Sequence, residues 1–230
     1  MCGRYAFYQN WNEFLETYDI EAPHVEDWSP VFNAAPTMNL PVVFHSGGRR
    51  VADTFRWGLI PHWSTDEKIG YKMINARAET IADKPAFRKP FASQRCLVPA
   101  SGFFEWRKEG KQKQPYFIRF EDESPMLFAG LYDEWTSKED GEVVTTFTII
   151  TTEVNTHIAE LHDRMPAIVP QKHVDDWLGQ EMRDKDYLQS LLKPWQDNTI
   201  TFYPVSQSVS SPRNQGPELV TPIKRNLFDL

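Results

Sequence analysis

Short runs rich in β-branched and aromatic residues recur along the chain: Leu40–Phe44, Val51–Arg56, Arg95–Val98, Tyr116–Phe120, Met126–Tyr132, Val144–Thr151 and Thr199–Val205. Each is bounded by Gly, Pro or charged residues, the pattern of strands closed by turns. Glu109-Gly110-Lys111 and Glu139-Asp140-Gly141 predict hairpin connections. Helical spacing is rarer. Asn12 is placed to cap a short helix carrying Phe14, Leu15 and Tyr18, and Asn155 to cap another over Thr156–Leu161. Pro170 precedes a stronger segment in which Val174, Trp177 and Leu178 share one face. Strands dominate. The expected fold is α+β, a single domain over residues 1–230 on a bent, mainly antiparallel sheet or barrel with peripheral helices.

Composition narrows the function classes. The 230 residues carry 25 Lys+Arg against 32 Asp+Glu, a net charge of −7, which by itself argues against a nucleic-acid binder. The average conceals an asymmetry. Between Lys84 and Lys113 lie Lys84, Arg88, Lys89, Arg95, Arg107, Lys108, Lys111 and Lys113 against only Glu105 and Glu109, so a local positive face is expected. Cys2 and Cys96 are too few for a disulfide scaffold or a four-thiolate metal site, and no metal or other cofactor is expected. A zinc deaminase is excluded for want of a paired-cysteine motif. No apolar run approaches a membrane span and the start, MCGRYAFYQN, has no apolar signal core, which predicts a cytoplasmic protein.

Four stretches could carry chemistry. Removal of Met1 would leave Cys2 with a free amine and a thiol on one residue. Their ordinary pKa values, roughly 8 and 8.5, leave both partly nucleophilic near neutrality. Such a 1,2-aminothiol condenses with an aldehyde to a Schiff base and closes to a thiazolidine; it can equally serve as a peptidase nucleophile. Tyr5 and Phe7 suggest that this end is a docked strand rather than a frayed one. In Ser101-Gly102-Phe103-Phe104-Glu105-Trp106, Glu105 is either an acid–base group raised by its aromatic neighbours or a carboxylate on the wet face of a strand. In Leu161-His162-Asp163-Arg164, His162 can exchange protons near neutral pH, with adjacency alone proving no contact. Asn75-Ala76-Arg77-Ala78-Glu79 and Trp57-Gly58-Leu59-Ile60-Pro61-His62-Trp63 offer Arg for phosphate and aromatic faces for bases, although core packing is the commoner fate of a Trp.

The order of these motifs is more telling than any one of them. MCGRY, Asn33-Ala34-Ala35-Pro36, Trp57-Gly58-Leu59-Ile60-Pro61, Asn75-Ala76-Arg77-Ala78-Glu79-Thr80, Arg95-Cys96-Leu97-Val98-Pro99-Ala100, Gly102-Phe103-Phe104-Glu105-Trp106 and His162-Asp163-Arg164-Met165-Pro166 follow in sequence. Pro204-Val205-Ser206 and Asn214-Gln215-Gly216 close the series. From Cys2 to about Pro222 the chain closely resembles the SOS-response-associated peptidase (SRAP) family, in its bacterial, stand-alone form.

The resemblance implies a sensor and shield for abasic sites in single-stranded DNA, acting as a monomer and associated with the nucleoid when bound. It implies a covalent thiazolidine between the chain-terminal Cys2 and the ring-opened sugar aldehyde, after autocatalytic removal of Met1. By motif, Cys2 is the nucleophile, Asn75 helps position it, Glu105 is the acid–base residue, and His162 assists proton transfer at the sugar and lyase or reversal chemistry. Arg4 and Arg77 are implied phosphate ligands; Asn33, Pro36, Trp57 and Trp63 are implied parts of the DNA channel. His62-Trp63 stands where some members have two tryptophans. Two competing readings stay open: a thiol peptidase using Cys2, Glu105 and His162, and a non-catalytic single-strand-binding module.

Overall fold

The computed structural model describes residues 2–179, 181, 184–196 and 199–223. The strands among them are β1 (Tyr5–Phe7), β2 (Ile20–Glu21), β3 (Val31–Ala34), β4 (Asn39–Ser46), β5 (Arg49–Trp57), β6 (Asn75–Arg77) and β7 (Arg95–Ala100). They continue with β8 (Gly102–Glu109), β9 (Gln112–Phe120), β10 (Met126–Thr136), β11 (Val143–Glu153), β12 (Arg164–Pro166) and β13 (Ile200–Pro204). Helices are short: α1 (Trp11–Tyr18), α2 (Arg88–Ser93), α3 (Val174–Leu178) and α4 (Lys185–Ser190).

The strands form two sheets. One is antiparallel, in the order β13-β9-β8-β1-β3. In the other, β11, β10, β7, β4 and β5 pair in turn, and β5 returns to β11 in parallel through Arg56↔Thr146 and Phe147↔Trp57, which closes a five-stranded barrel. Side chains of Trp57, Val98, Phe128, Phe147 and Ile149, which the strand register sets on one face of this sheet, are each 0% exposed. The predicted α+β class, with its bent antiparallel sheet or barrel, is the architecture found, and a few strand pairings are parallel.

Strand β11 positions the site. Its first half joins β10 and β5; beyond Ile149 it takes β6 in parallel on one edge and β12 antiparallel on the other. Asn75 and Arg77 therefore lie across one strand from Arg164, although almost ninety residues separate them in sequence.

Both expected hairpins form, with Gly110 and Gly141 at positive φ. Helical starts are less well anticipated. Asn10, not Asn12, caps α1, its side chain accepting from the Glu13 N–H at 3.1 Å. Thr156–Leu161 folds as a series of turns rather than a helix; Asn155 still caps them, accepting from the Ile158 N–H at 3.1 Å. The segment after Pro170 begins as a 3₁₀ turn before α3, which buries Val174, Trp177 and Leu178 as expected.

The basic run from Lys84 to Lys113 does not form one face. Arg95 is 3% exposed and donates to the carbonyls of Trp177, Phe91, Ala92 and Gly179, fastening α2 and α3 to the barrel. Arg107 is taken up by Glu109, Glu160 and Tyr116.

Candidate active site

The N-terminal segment is fixed by strand pairing. Strand β1 inserts between β3 and β8 in the register Tyr5↔Phe103 and Ala6↔Gly102, and the Phe104 N–H donates to the Arg4 carbonyl at 3.0 Å. Just ahead of this strand, Cys2 lies close enough to Glu105 for the carboxylate to act on its thiol. Tyr5 anchors the segment by packing on Trp57 at 5.3 Å and Phe128 at 6.1 Å. Cys2 is wholly buried, its Sγ 4.0 Å from the Arg4 carbonyl oxygen. Burial, reinforced by the nearby Glu105 carboxylate, pushes its thiol well above the ordinary range, so at neutral pH the sulfur holds its proton. Ordinary pKa values anticipate a partial thiolate here; desolvation removes it.

Of the two readings of Glu105, the buried one holds. The residue is 5% exposed, and burial raises its carboxyl to about 7, with a small further contribution from Asp163. A carboxyl titrating there donates and accepts protons with comparable ease at physiological pH. It lies beside a thiol that must lose a proton in order to react.

His162 reaches the same region from the loop before β12. Arg107, two residues beyond Glu105 on β8, bonds Glu160 at 2.9 Å, two residues before His162. On the other side, Arg164 makes a two-pronged pair with Glu79 at 2.6 and 3.0 Å and donates to the Thr151 carbonyl at 2.6 Å. The histidine is thus clamped on both flanks. Its Nδ1 accepts the Arg164 N–H at 3.0 Å and lies 2.7 Å from the exposed Asp163 carboxylate. Burial holds its pKa below the usual histidine value, leaving the imidazole neutral at pH 7. Asn75, on β6, donates weakly to the Ile149 carbonyl at 3.5 Å; its Oδ1 is buried with no hydrogen-bond partner among the described residues.

The remaining candidates divide by exposure. Arg77 is exposed and Pro36 half-buried. Trp63 is 52% exposed. Trp57, expected as part of a DNA channel, is instead 0% exposed; it donates from Nε1 to the Ile74 carbonyl and stacks on Phe147 in the core. Asn33 is also fully buried, and its amide donates to the carbonyls of Val209, Ser211 and Asn214. The Arg4 guanidinium donates to Asn33 Oδ1 at 2.8 Å and to the Val209 carbonyl at 2.7 Å. Both residues fasten the segment 206–216 over the antiparallel sheet. The Glu79–Arg164 pair joins two of the sequence motifs, and opposite charge is the only signal of it that the sequence carries. Met1, whose removal the family resemblance implies, lies outside the described residues.

Comparison with known proteins decides the family. The model of the SOS response associated peptidase (SRAP) family matches residues 1–212. The chain belongs to this family. A Bacillus subtilis (strain 168) relative, the abasic site processing protein YoqW, is 43% identical over 222 residues, spanning 96% of this chain and 99% of its own. The Xenopus tropicalis abasic site processing protein HMCES is 33% identical over 229 residues, spanning 86% of this chain and 68% of its own. A crystal structure of a Bacteroides thetaiotaomicron protein matches with a TM-score of 0.89 at 32% identity, covering 97% of this chain and all of that one. In this SRAP chain the described residues include no helix long and apolar enough to cross a membrane and no group of three or more His, Cys, Asp or Glu placed to hold a metal ion.

Proposed function

We propose that this SRAP protein processes abasic sites in single-stranded DNA by joining Cys2 to the sugar aldehyde as a thiazolidine. The observation that carries the reading is the seat of Cys2, wholly buried beside a carboxyl that titrates at about 7. Two relatives bear the name abasic site processing protein.

Hydrolysis of the Met1–Cys2 peptide bond first frees the Cys2 amine. The amine adds to the aldehyde carbon of the ring-opened deoxyribose, and the carbinolamine loses water to give an imine. Glu105, protonated, delivers the proton that lets hydroxide leave as water. The Cys2 sulfur then attacks the imine carbon as its proton passes, through Glu105, to the ring nitrogen. Overall, amine, thiol and aldehyde give thiazolidine plus one water. Neutral His162 moves the proton at the sugar during ring opening. The free Oδ1 of Asn75 accepts from the Cys2 amine and holds it against the carbonyl. Arg77 binds phosphate, and Trp63 stacks on a base.

Parallel incubation with casein and with an abasic single-stranded oligonucleotide tests this. A denaturant-resistant protein–DNA band without casein cleavage is expected. Casein cleavage without the band would instead support the thiol peptidase. Salt-sensitive binding without a covalent band would support a simple binding module.

A further inference from the structure

Tyr5 is fully buried, and its hydroxyl oxygen has no hydrogen-bond partner among the described residues. Its ring packs on Trp57 and Phe128, on the sheet face that also carries Val98, Phe147 and Ile149. Phenylalanine would fill this place with the same ring contacts. A buried hydroxyl that has lost its water without gaining a partner destabilises a fold. Packing therefore accounts for the ring of Tyr5 but not for its oxygen.

The surroundings of that oxygen are two sulfurs. Burial first, then Cys2, then Cys96, holds the phenol well above its ordinary pKa, so the O–H keeps its proton at any working pH. Cys96 is closed in on β7 opposite Gly130, where an added Cβ would come 2.9 Å from its Sγ. Burial keeps its thiol protonated, and a neutral thiol is only a weak acceptor. Cys2, three residues ahead of Tyr5, is placed differently. In its long 4.0 Å contact with the Arg4 carbonyl the thiol is the donor, which leaves the sulfur lone pairs unused. Once the sulfur gives up its proton it has nothing to donate to that carbonyl, and its growing negative charge calls for a donor instead.

We propose that the Tyr5 hydroxyl donates a hydrogen bond to the Cys2 sulfur as that sulfur closes the thiazolidine ring. This rests on the Cys2 reading above and adds the group that stabilises the sulfur in its charged form. The thiol proton still passes through Glu105 to the ring nitrogen while the C–S bond forms and the C=N bond becomes single. Tyr5 keeps its own proton throughout, so the balance of the reaction is unchanged. A fixed donor aimed at developing charge in a buried site lowers the barrier of that step alone. The earlier imine step uses only the amine and gains nothing from it.

The test separates the two steps in Tyr5→Phe, which keeps the ring and removes the O–H. With an abasic single-stranded oligonucleotide, imine formation is followed by trapping with borohydride. Ring closure is followed as product that resists denaturant without borohydride. Tyr5→Phe is expected to form the imine at the wild-type rate, to close about tenfold more slowly, and to melt no lower than wild type. Added to Cys2→Ala, which has no sulfur to receive the bond, it should leave imine formation unchanged. Closure at the wild-type rate, equal slowing of both steps, or slower imine formation in the double variant would overturn the role of Tyr5 while leaving the Cys2 reading intact. A wild-type protein that gives no denaturant-resistant product would overturn both.

Discussion

Cys2 and Trp63 occupy opposite extremes of the same molecule, 0% and 52% exposed. Around Cys2 the nearest groups are sunk: Glu105 is 5% exposed, and Tyr5 and Trp57 are fully covered, with His162 and Asn75 half-buried at the edge. Burial there raises a thiol and a carboxyl above their ordinary ranges, so that near neutrality the carboxyl exchanges protons while the thiol keeps its own. On the connection from β5 to β6, residues 58–74, the backbone is just as firmly held, the Leu59 N–H donating to the Met73 carbonyl at 3.1 Å and Gly58 pressed on Gly70, but the side chains of Trp63 and Tyr71 stand exposed. Burial tunes reactivity in one region, whereas the other uses rigidity to present surface at little entropic cost on binding. Perturbing the first region should therefore change chemistry, and perturbing the second should change affinity.

The sharpest break in that contrast is Cys2→Ala. Loss of the sulfur should abolish the stable adduct, with at least a hundredfold drop in denaturant-resistant product on a gel, while the freed amine still forms a labile imine that cuts the strand. Normal yield of stable adduct would remove the thiazolidine.

Glu105→Gln comes next. General acid–base assistance is worth about 10²–10⁴-fold, so single-turnover crosslinking at pH 6.5 should slow at least a hundredfold. In wild type the rate should fall as pH rises through about 7, because the protonated carboxyl is the donor. The same group links stability to pH. Its native pKa lies above the ordinary 4.5, so the folded state holds the proton more tightly. Its contribution is full below about 4.5, declines as pH rises to about 7 and is constant above that. Glu105→Gln should flatten that decline, which is on the order of 3 kcal/mol, in melts run across the window.

Glu79→Gln tests the clamp on His162. Losing the charge of the two-pronged Arg164 pair should slow the crosslinking step about tenfold with strand affinity nearly unchanged. A fall in affinity with unchanged rate would place the pair in binding instead. The smallest expected effect is that of Gly58→Ala. The added Cβ meets the Gly70 oxygen, which should cost about 1–3 kcal/mol of stability and loosen the aromatic loop, weakening strand binding a few-fold.

How much of this was legible in the sequence follows the same division. Strand segments stood out because alternation and β-branched runs report local burial, and the seven expected runs all lie in strands, the last of them reaching just past both ends of β13. Helix starts were off where side-chain caps compete, as with Asn10 against Asn12. Motif order identified the catalytic candidates, and folding brings Cys2 and Glu105 together through the β1–β8 register. What sequence could not give was direction. Arg4, Asn33 and Arg95 have the composition of phosphate ligands or exposed polar groups, yet their donors are turned to backbone carbonyls inside the fold. Nor does sequence pair Glu79 with Arg164 or Asp133 with His62, contacts that exist only once β11 and β10 are in place.

Intact-mass measurement of the protein, before and after incubation with an abasic single-stranded oligonucleotide, followed by mapping of the modified peptide, tests the role of Cys2 most directly. The expected product is the chain without Met1 plus the oligonucleotide minus one water, with the adduct on Cys2. An adduct on another residue, a product retaining Met1, or an unchanged mass would contradict it.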